Sequence, residues 1–217
     1  MPEMLNMPTC MKTLNPVDGC NFGCPYCYAR RMNERFKWVE DWNKPQFFPE
    51  RIKFNTKSHK IFFIDSMSDF AAWEPAWQER VITAVRQNPQ NDYMTLTKRP
   101  ELFKGNLPNT WWYGVSVTTA ADKHRIEIMR QNITGAHLHV CFEPLQGDVG
   151  ELDLRGVEWI VIGPESGNRK GKIKPEAEWI MNIVRQADAA GIPIGMKTSL
   201  AAIIGQENMR GQWPFRL

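Results

Sequence analysis

Short apolar runs recur along the chain and are separated by stretches with a helical period. The runs predict strands at Lys12–Val17, Lys60–Asp65, Tyr93–Thr97, Trp112–Val117, His137–Glu143, Trp159–Gly163 and Ile192–Lys197. Ile61-Phe62-Phe63-Ile64 and Ile160-Val161-Ile162 are continuous rather than alternating, which suits parallel strands buried on both faces. Between the runs, Trp73, Trp77, Val81, Ala84 and Val85 share one helical face, and Pro75 suits a first turn. Ile126, Met129 and Ile133 form a second such face. Ile180, Ile183, Val184 and Ala187 form a third, with Pro175 near its start and Gly191 placed as a C-terminal cap. Ala29, Met32 and Phe36 give a shorter stripe. The alternation predicts an α/β fold, read as a partial (β/α) barrel of six or seven parallel units. A full eight-unit barrel needs roughly 250 residues, so the barrel should be open; a doubly wound sheet is the runner-up. Residues 144–158 are too short for a crossover helix and predict a turn or one helical turn.

No repeat or linker divides the chain, so residues 1–217 read as one domain. Residues 37–59 interrupt the alternation as an insertion. They carry Trp38, Trp42, Phe47, Phe48 and Phe54 among Lys37, Lys44, Arg51, Lys53 and Lys57. Two readings stand: a surface excursion anchored by its aromatics, or a lid or platform for a nucleobase or nucleic acid. A second basic segment, Arg169, Lys170, Lys172 and Lys174, is either a solvated loop or a phosphate-binding one.

Composition narrows the class. Hydrophobic residues at 42 % and charged residues at 24 % exclude a disordered chain. The longest apolar run, Leu200–Ile204, cannot span a bilayer, and the amino terminus lacks the layout of a signal peptide. A soluble, cytoplasmic protein is expected. The net charge of +3 permits an anionic partner without requiring one.

Five cysteines are an odd number, which does not suit a disulfide framework. Cys20, Cys24 and Cys27 form Cys-X3-Cys-X2-Cys within GCNFGCPYCYAR. Random placement would produce that spacing only about 0.003 times per chain of this composition. Zinc sites usually close with four ligands, and no second Cys-X2-Cys is present; Cys10 would have to serve as a lone fourth. Three thiolates suit a [4Fe-4S] cluster with one iron left open, whereas ordinary ferredoxin clusters take four. His137 and His139 share a strand face but lack metal-ligand spacing, and Cys10 and Cys141 read as buried or unligated.

The spacing, on a loop between a first strand and a helix, resembles the radical S-adenosylmethionine superfamily, and in particular its small phage-associated members. Tyr26 before the third cysteine belongs to the resemblance, as do LNPVDGC, IDSMSDF, LTKRPELF, GVSVT, CFEPL, IGPESG and the late Lys197. The resemblance implies that Cys20, Cys24 and Cys27 hold the [4Fe-4S] cluster and that S-adenosylmethionine chelates the open iron. An electron from a donor such as flavodoxin or ferredoxin would cleave it to a 5′-deoxyadenosyl radical, which takes a hydrogen atom from the substrate. Ser66, Ser68 and Asp69 occupy the place of the amino-group motif, although they depart from the usual Gly-Gly-Glu. Ser116 and Thr118 match ribose contacts; Gly163 and Glu165 lie in the turn that lines the adenine, with Tyr26 beside it.

Polar residues fall at nearly every predicted strand end, where ligands sit in parallel folds. Lys98, Glu143 and Lys197 are the candidate catalytic groups among them; Lys98 would meet the methionine carboxylate or an anionic substrate. Asp69 and Asp122 have a plainer reading as helix caps. The basic and aromatic segments make a nucleotide or modified DNA base the leading substrate, with rearrangement of a pyrimidine substituent as the chemistry. A repair lyase like spore photoproduct lyase is a narrower alternative. Rivals outside this class are a structural zinc or iron–sulfur nucleic-acid-binding module and an electron-transfer iron–sulfur protein.

Overall fold

The computed structural model describes residues 4–215. Seven strands form one parallel sheet in chain order: β1 (Met11–Thr13), β2 (Ile61–Phe63), β3 (Asp92–Thr97), β4 (Trp111–Ser116), β5 (His137–Phe142), β6 (Trp159–Ile162) and β7 (Ile194–Met196). The sheet curls into a half-barrel with helices outside it. It does not close, because β1 pairs only with β2 and β7 only with β6. The free edge of β7 is covered from both ends of the chain. Leu5 N–H donates to Met196 O, Met196 N–H donates to Arg210 O, and Gln212 N–H donates to Ile194 O. Trp213 Nε1 donates to Leu5 O and ties the two covering segments together.

All seven expected strands are present with shifted ends: β3 and β4 begin one residue earlier than expected, and the first strand runs only Met11–Thr13, because Val17 belongs to a separate strand Val17–Asp18 that pairs outside this sheet. Each has a partner on one side at least, and side chains alternate between two cores. Leu138, Val140 and Phe142 of β5 face the outer core beneath the helices, whereas Cys141 belongs to an inner core with Met94, Trp112 and Trp159. The main helices are α1 (Tyr28–Phe36), α2 (Pro75–Arg86), α3 (His124–Asn132) and α4 (Ala177–Ala190); a short α5 (Ala201–Ile204) follows. Gly191 ends α4 in the left-handed conformation, as its position implied. Residues 144–158 form no helix. None of the described helices is long and apolar enough to cross a membrane.

Three helical readings need correction. Trp73 is not on the α2 face: it precedes the helix, extended, at the end of the Phe70–Ala72 turn. Ile133 lies beyond α3, in a short strand Ile133–Thr134 that pairs with Gly105–Asn106. In α1 the buried residues are Ala29 and Asn33, so of the apolar stripe only Ala29 faces inward. Met32 and Phe36 are exposed instead. Asn33 is drawn inward because its amide brackets Val39, donating to Val39 O and accepting from Val39 N–H, both at 2.9 Å.

The inner face is tightest between β4 and β5. A Cβ added at Gly114 would collide with the His139 ring, which lies 5.7 Å from the Trp159 ring on its other side. Gly114→Ala should therefore destabilise the protein by about 2–3 kcal/mol through overpacking. Thermal unfolding of the variant, alone and with His139→Ala, checks this: the second change should restore most of the loss. An unshifted midpoint in Gly114→Ala would show that the interior is looser than the contacts indicate.

Candidate active site

The C-terminal strand ends surround a cavity of about 190 Å³. The cysteine loop forms its rim. That loop is clamped from two sides: Gly19 N–H donates to Met67 O at 3.0 Å and Cys20 N–H donates to Trp42 O at 2.8 Å. Gly19 is required there. Its φ is +106°, and a Cβ would stand 2.9 Å from Pro45 Cα and 3.0 Å from Trp42 O. The insertion is thus a brace for the cysteine loop. Its Gln46–Phe47 strand pairs with Val17–Asp18, Trp42 and Phe54 are buried, and Trp42 and Phe48 pack beside Cys20 and Cys27. Trp38 alone among its tryptophans projects outward.

Cys20, Cys24 and Cys27 all line the cavity and are half-buried. Cys27 caps α1, its Sγ accepting from Arg30 N–H at 3.3 Å, so the first helical turn orients that sulfur. Burial pushes the Cys20 thiol up to about 11, against a backbone hydrogen bond at Phe22 and the nearby Arg99 charge. Burial also raises Cys24, opposed chiefly by Lys98. Metal binding would reverse this preference, because thiols bind as thiolates. Among the described residues no three His, Cys, Asp or Glu side chains stand close enough to share one metal ion. A four-iron cluster asks for a different arrangement, since each thiolate binds its own iron and the sulfurs spread around the cube. Three thiols on one loop facing a single cavity fit that donor set.

The same cavity is lined by the three candidate catalytic groups, Lys98, Glu143 and Lys197. Lys98 Nζ donates to Ser116 Oγ at 3.0 Å and lies 5.7 Å from the centre of the Tyr26 ring. Lys197 Nζ pairs with Glu143 Oε2 at 3.4 Å. Burial raises the Glu143 carboxyl, while the Lys197 and Lys98 ammonium groups oppose it. Tyr26 and Glu165 also line the cavity. Glu165 is held below its ordinary range by hydrogen bonds from Arg169, at 2.7 Å to each carboxylate oxygen. That pair fastens the basic loop to the rim.

Ser66, Ser68 and Asp69 reach the same cavity, but their polar atoms already have protein partners. Ser66 Oγ donates to Asn15 Oδ1 and its carbonyl accepts from Tyr28 OH. Ser68 Oγ accepts from Trp73 Nε1, and Asp69 accepts from Thr97 Oγ1 and Lys98 N–H. Asp69 does not cap the turn that follows it, because its carboxylate reaches across to β3 instead. Three expected contacts, Ser116, Thr118 and Gly163, do not line the cavity. Ser116 is fully buried behind Lys98, and Thr118 is buried with its hydroxyl given to Asp122, which forms a capping box with Thr119. Gly163 lies behind the wall; a Cβ there would stand 2.6 Å from Lys197 Cγ and displace the Glu143–Lys197 pair.

Sequence reasoning missed several wall residues. Tyr28, Trp42, Met67 and Cys141 line the cavity. Cys141 lies two residues before Glu143 on a strand and so shares its face, a signal that was available. Burial pushes its thiol up to about 12. Trp42 was read only as one of the insertion's aromatics, an anchor or part of a platform; its place in the wall follows from the insertion folding onto the site from outside the alternation. Asp65 accepts from Leu96 N–H and Phe70 N–H, and burial holds its carboxyl well above the usual range. Of the two histidines sharing a β5 face, His137 pairs with Glu158 and stacks on Trp112, while His139 is sealed in the interior.

The fold and site define a parallel half-barrel whose mouth holds a cavity lined by three thiols, two lysines and a glutamate among other residues. The chain belongs to a family of proteins of unknown function, DUF5131, whose profile matches residues 6–200. No curated protein and no solved structure matches it.

Proposed function

We propose that this protein is a radical S-adenosylmethionine enzyme that takes a hydrogen atom from a nucleotide or a modified nucleic-acid base. One observation carries the reading: three thiols from one braced loop line a single cavity at the C-terminal mouth of a parallel half-barrel, together with half-buried Lys98 and the Glu143–Lys197 pair. Cys20, Cys24 and Cys27 would hold a [4Fe-4S] cluster, which with S-adenosylmethionine bound and one electron supplied yields a 5′-deoxyadenosyl radical.

The chain's own groups would bind and shield. Lys98, steadied by Ser116 and the Tyr26 face, directs a positive charge at the cavity and suits a carboxylate. The Glu143–Lys197 pair offers both an acceptor and donors to a zwitterionic ligand without adding net charge. Ser66, Ser68 and Asp69 keep the wall in shape through their internal bonds, leaving backbone groups to meet an ammonium. Trp42, Phe22 and Tyr28 narrow the approach of water and oxygen from the cysteine side.

The test is anaerobic: reconstitute with iron and sulfide, add S-adenosylmethionine and dithionite, and assay 5′-deoxyadenosine. Its formation is the expected result. Lys98→Ala should weaken S-adenosylmethionine binding by roughly 10-fold, as expected for losing a charge-assisted contact, with iron and sulfide content unchanged. Loss of the cluster in that variant would make Lys98 structural. A verified cluster that neither binds nor cleaves S-adenosylmethionine would overturn the reading.

A further inference from the structure

The mouth of the cavity carries a charge that the rest of the molecule does not. Residues 28–38 hold four cations, Arg30, Arg31, Arg35 and Lys37, against Glu34 alone. Residues 167–174 hold four more, with no acidic residue. The remaining chain has 19 cations and 23 anions, a net −4, although the whole protein is +3. The two basic segments meet: Arg31 Nη2 donates to Ser166 O, which lines the cavity, at 3.4 Å.

The exposed apolar side chains collect in the same place. Seven large hydrophobic residues are exposed among those described, and five of them, Phe22, Met32, Phe36, Trp38 and Ile173, lie on the cysteine loop, in residues 28–38 or on the basic loop. Phe36, 51 % exposed, and Trp38, 41 % exposed, stack on each other at 5.2 Å and 21°. Arg35 lies over the Phe36 ring at 5.1 Å. Met32 and Trp38 border a groove of about 350 Å³ that shares Tyr28, Ser66 and Met67 with the cavity wall. Phe22, with Arg99 over its ring at 5.1 Å, lines the cavity itself.

Flat exposed aromatics interleaved with cations suit a strand whose bases are unstacked and whose phosphates are accessible. A duplex keeps its bases stacked inside and has no use for the Phe36–Trp38 platform. An acidic protein would account for the charge but not for a flat ring pair beside it. We infer that the rim formed by α1, its Phe36–Trp38 platform and the loop 167–174 docks single-stranded nucleic acid beside the cavity. Docking follows from this surface alone; that the docked strand supplies the hydrogen atom rests on the radical reading above.

The test uses the full chain without reductant and a fluorescein-labelled oligothymidylate of about 15 nucleotides, followed by anisotropy. Binding is expected, with affinity falling at least roughly 10-fold as salt rises from about 50 to about 200 mM. Trp38→Ala should weaken binding by roughly 10-fold, and Phe36→Ala by a similar factor. Arg35→Glu should reduce the salt dependence. These side chains are exposed, so the variants should keep the parent's thermal midpoint. No binding at low salt, equal affinity for the duplex, or unchanged affinity in both aromatic variants would overturn the docking surface. So would binding to phosphatidylserine vesicles that the oligonucleotide does not displace. The two readings fail separately: 5′-deoxyadenosine formation without oligonucleotide binding removes the surface, and binding without cleavage removes the chemistry.

Discussion

Cys24→Ala is expected, on the radical S-adenosylmethionine reading proposed above, to abolish both the brown colour of a reconstituted iron–sulfur cluster and all 5′-deoxyadenosine formation, while the half-barrel still folds. The physical grounds are local. Cys24 sits on the cavity rim, half-buried, and helps to shape neither the inner nor the outer core. Removing its sulfur therefore costs little packing but leaves two thiolates where three are required. Iron and sulfide analysis with circular dichroism separates the two effects. A variant that folds, carries a full cluster and cleaves S-adenosylmethionine would refute the assignment of the triad. Unfolding would instead show that the loop, braced through Gly19 and Cys20, tolerates no change at its centre.

Acidification should destabilise the protein through one residue of the inner core. His139 is sealed beneath the cavity, its Nδ1 has no hydrogen-bond partner, and burial pulls its pKa from 6.5 down to about 3. The folded state thus keeps the imidazole neutral where the unfolded chain already takes a proton. Because the unfolded state binds more protons in this window, stability is full above about pH 6.5 and falls as pH approaches 3. The loss from this group alone is of the order of 4 kcal/mol across the window. His139→Leu removes the titration. Its unfolding free energy, measured in urea against wild type, should gain about 3 kcal/mol in relative terms between about pH 6.5 and about pH 4. Parallel pH profiles for the two proteins would mean that His139 reaches water or protonates without cost.

The strand order was legible because each strand repeats one local pattern, a short apolar run closed by a polar residue. Parallel connections then leave little topological choice. The clustering of Cys20, Cys24 and Cys27 at one cavity was legible for a similar reason: three side chains on one loop need no tertiary contact to be brought together. Lys98, Glu143 and Lys197 were legible as strand ends, since a parallel sheet delivers all such ends to one face. Asp69 shows where that logic stops. Local sequence offers it as a cap, and only the neighbouring strand, presenting Thr97 Oγ1 at 2.6 Å, decides that it points across the sheet.

Burial direction was the other blind spot. Met32 and Phe36 form one apolar helical stripe with Ala29, yet only Ala29 is buried, and it is Asn33 that turns inward to satisfy the backbone of Val39. Ser116 and Thr118 read as ligand contacts, yet Lys98 and Asp122 occupy them. The sequence by itself determined the alternating parallel architecture and the thiol loop, because both arise from spacing over a few residues. The tertiary structure alone decided what braces that loop, which strand-end groups reach the cavity and which aromatics face water. Those outcomes depend on hydrogen bonds and contacts between residues distant in the chain, such as Cys20 with Trp42 and Lys98 with Ser116, which spacing does not encode.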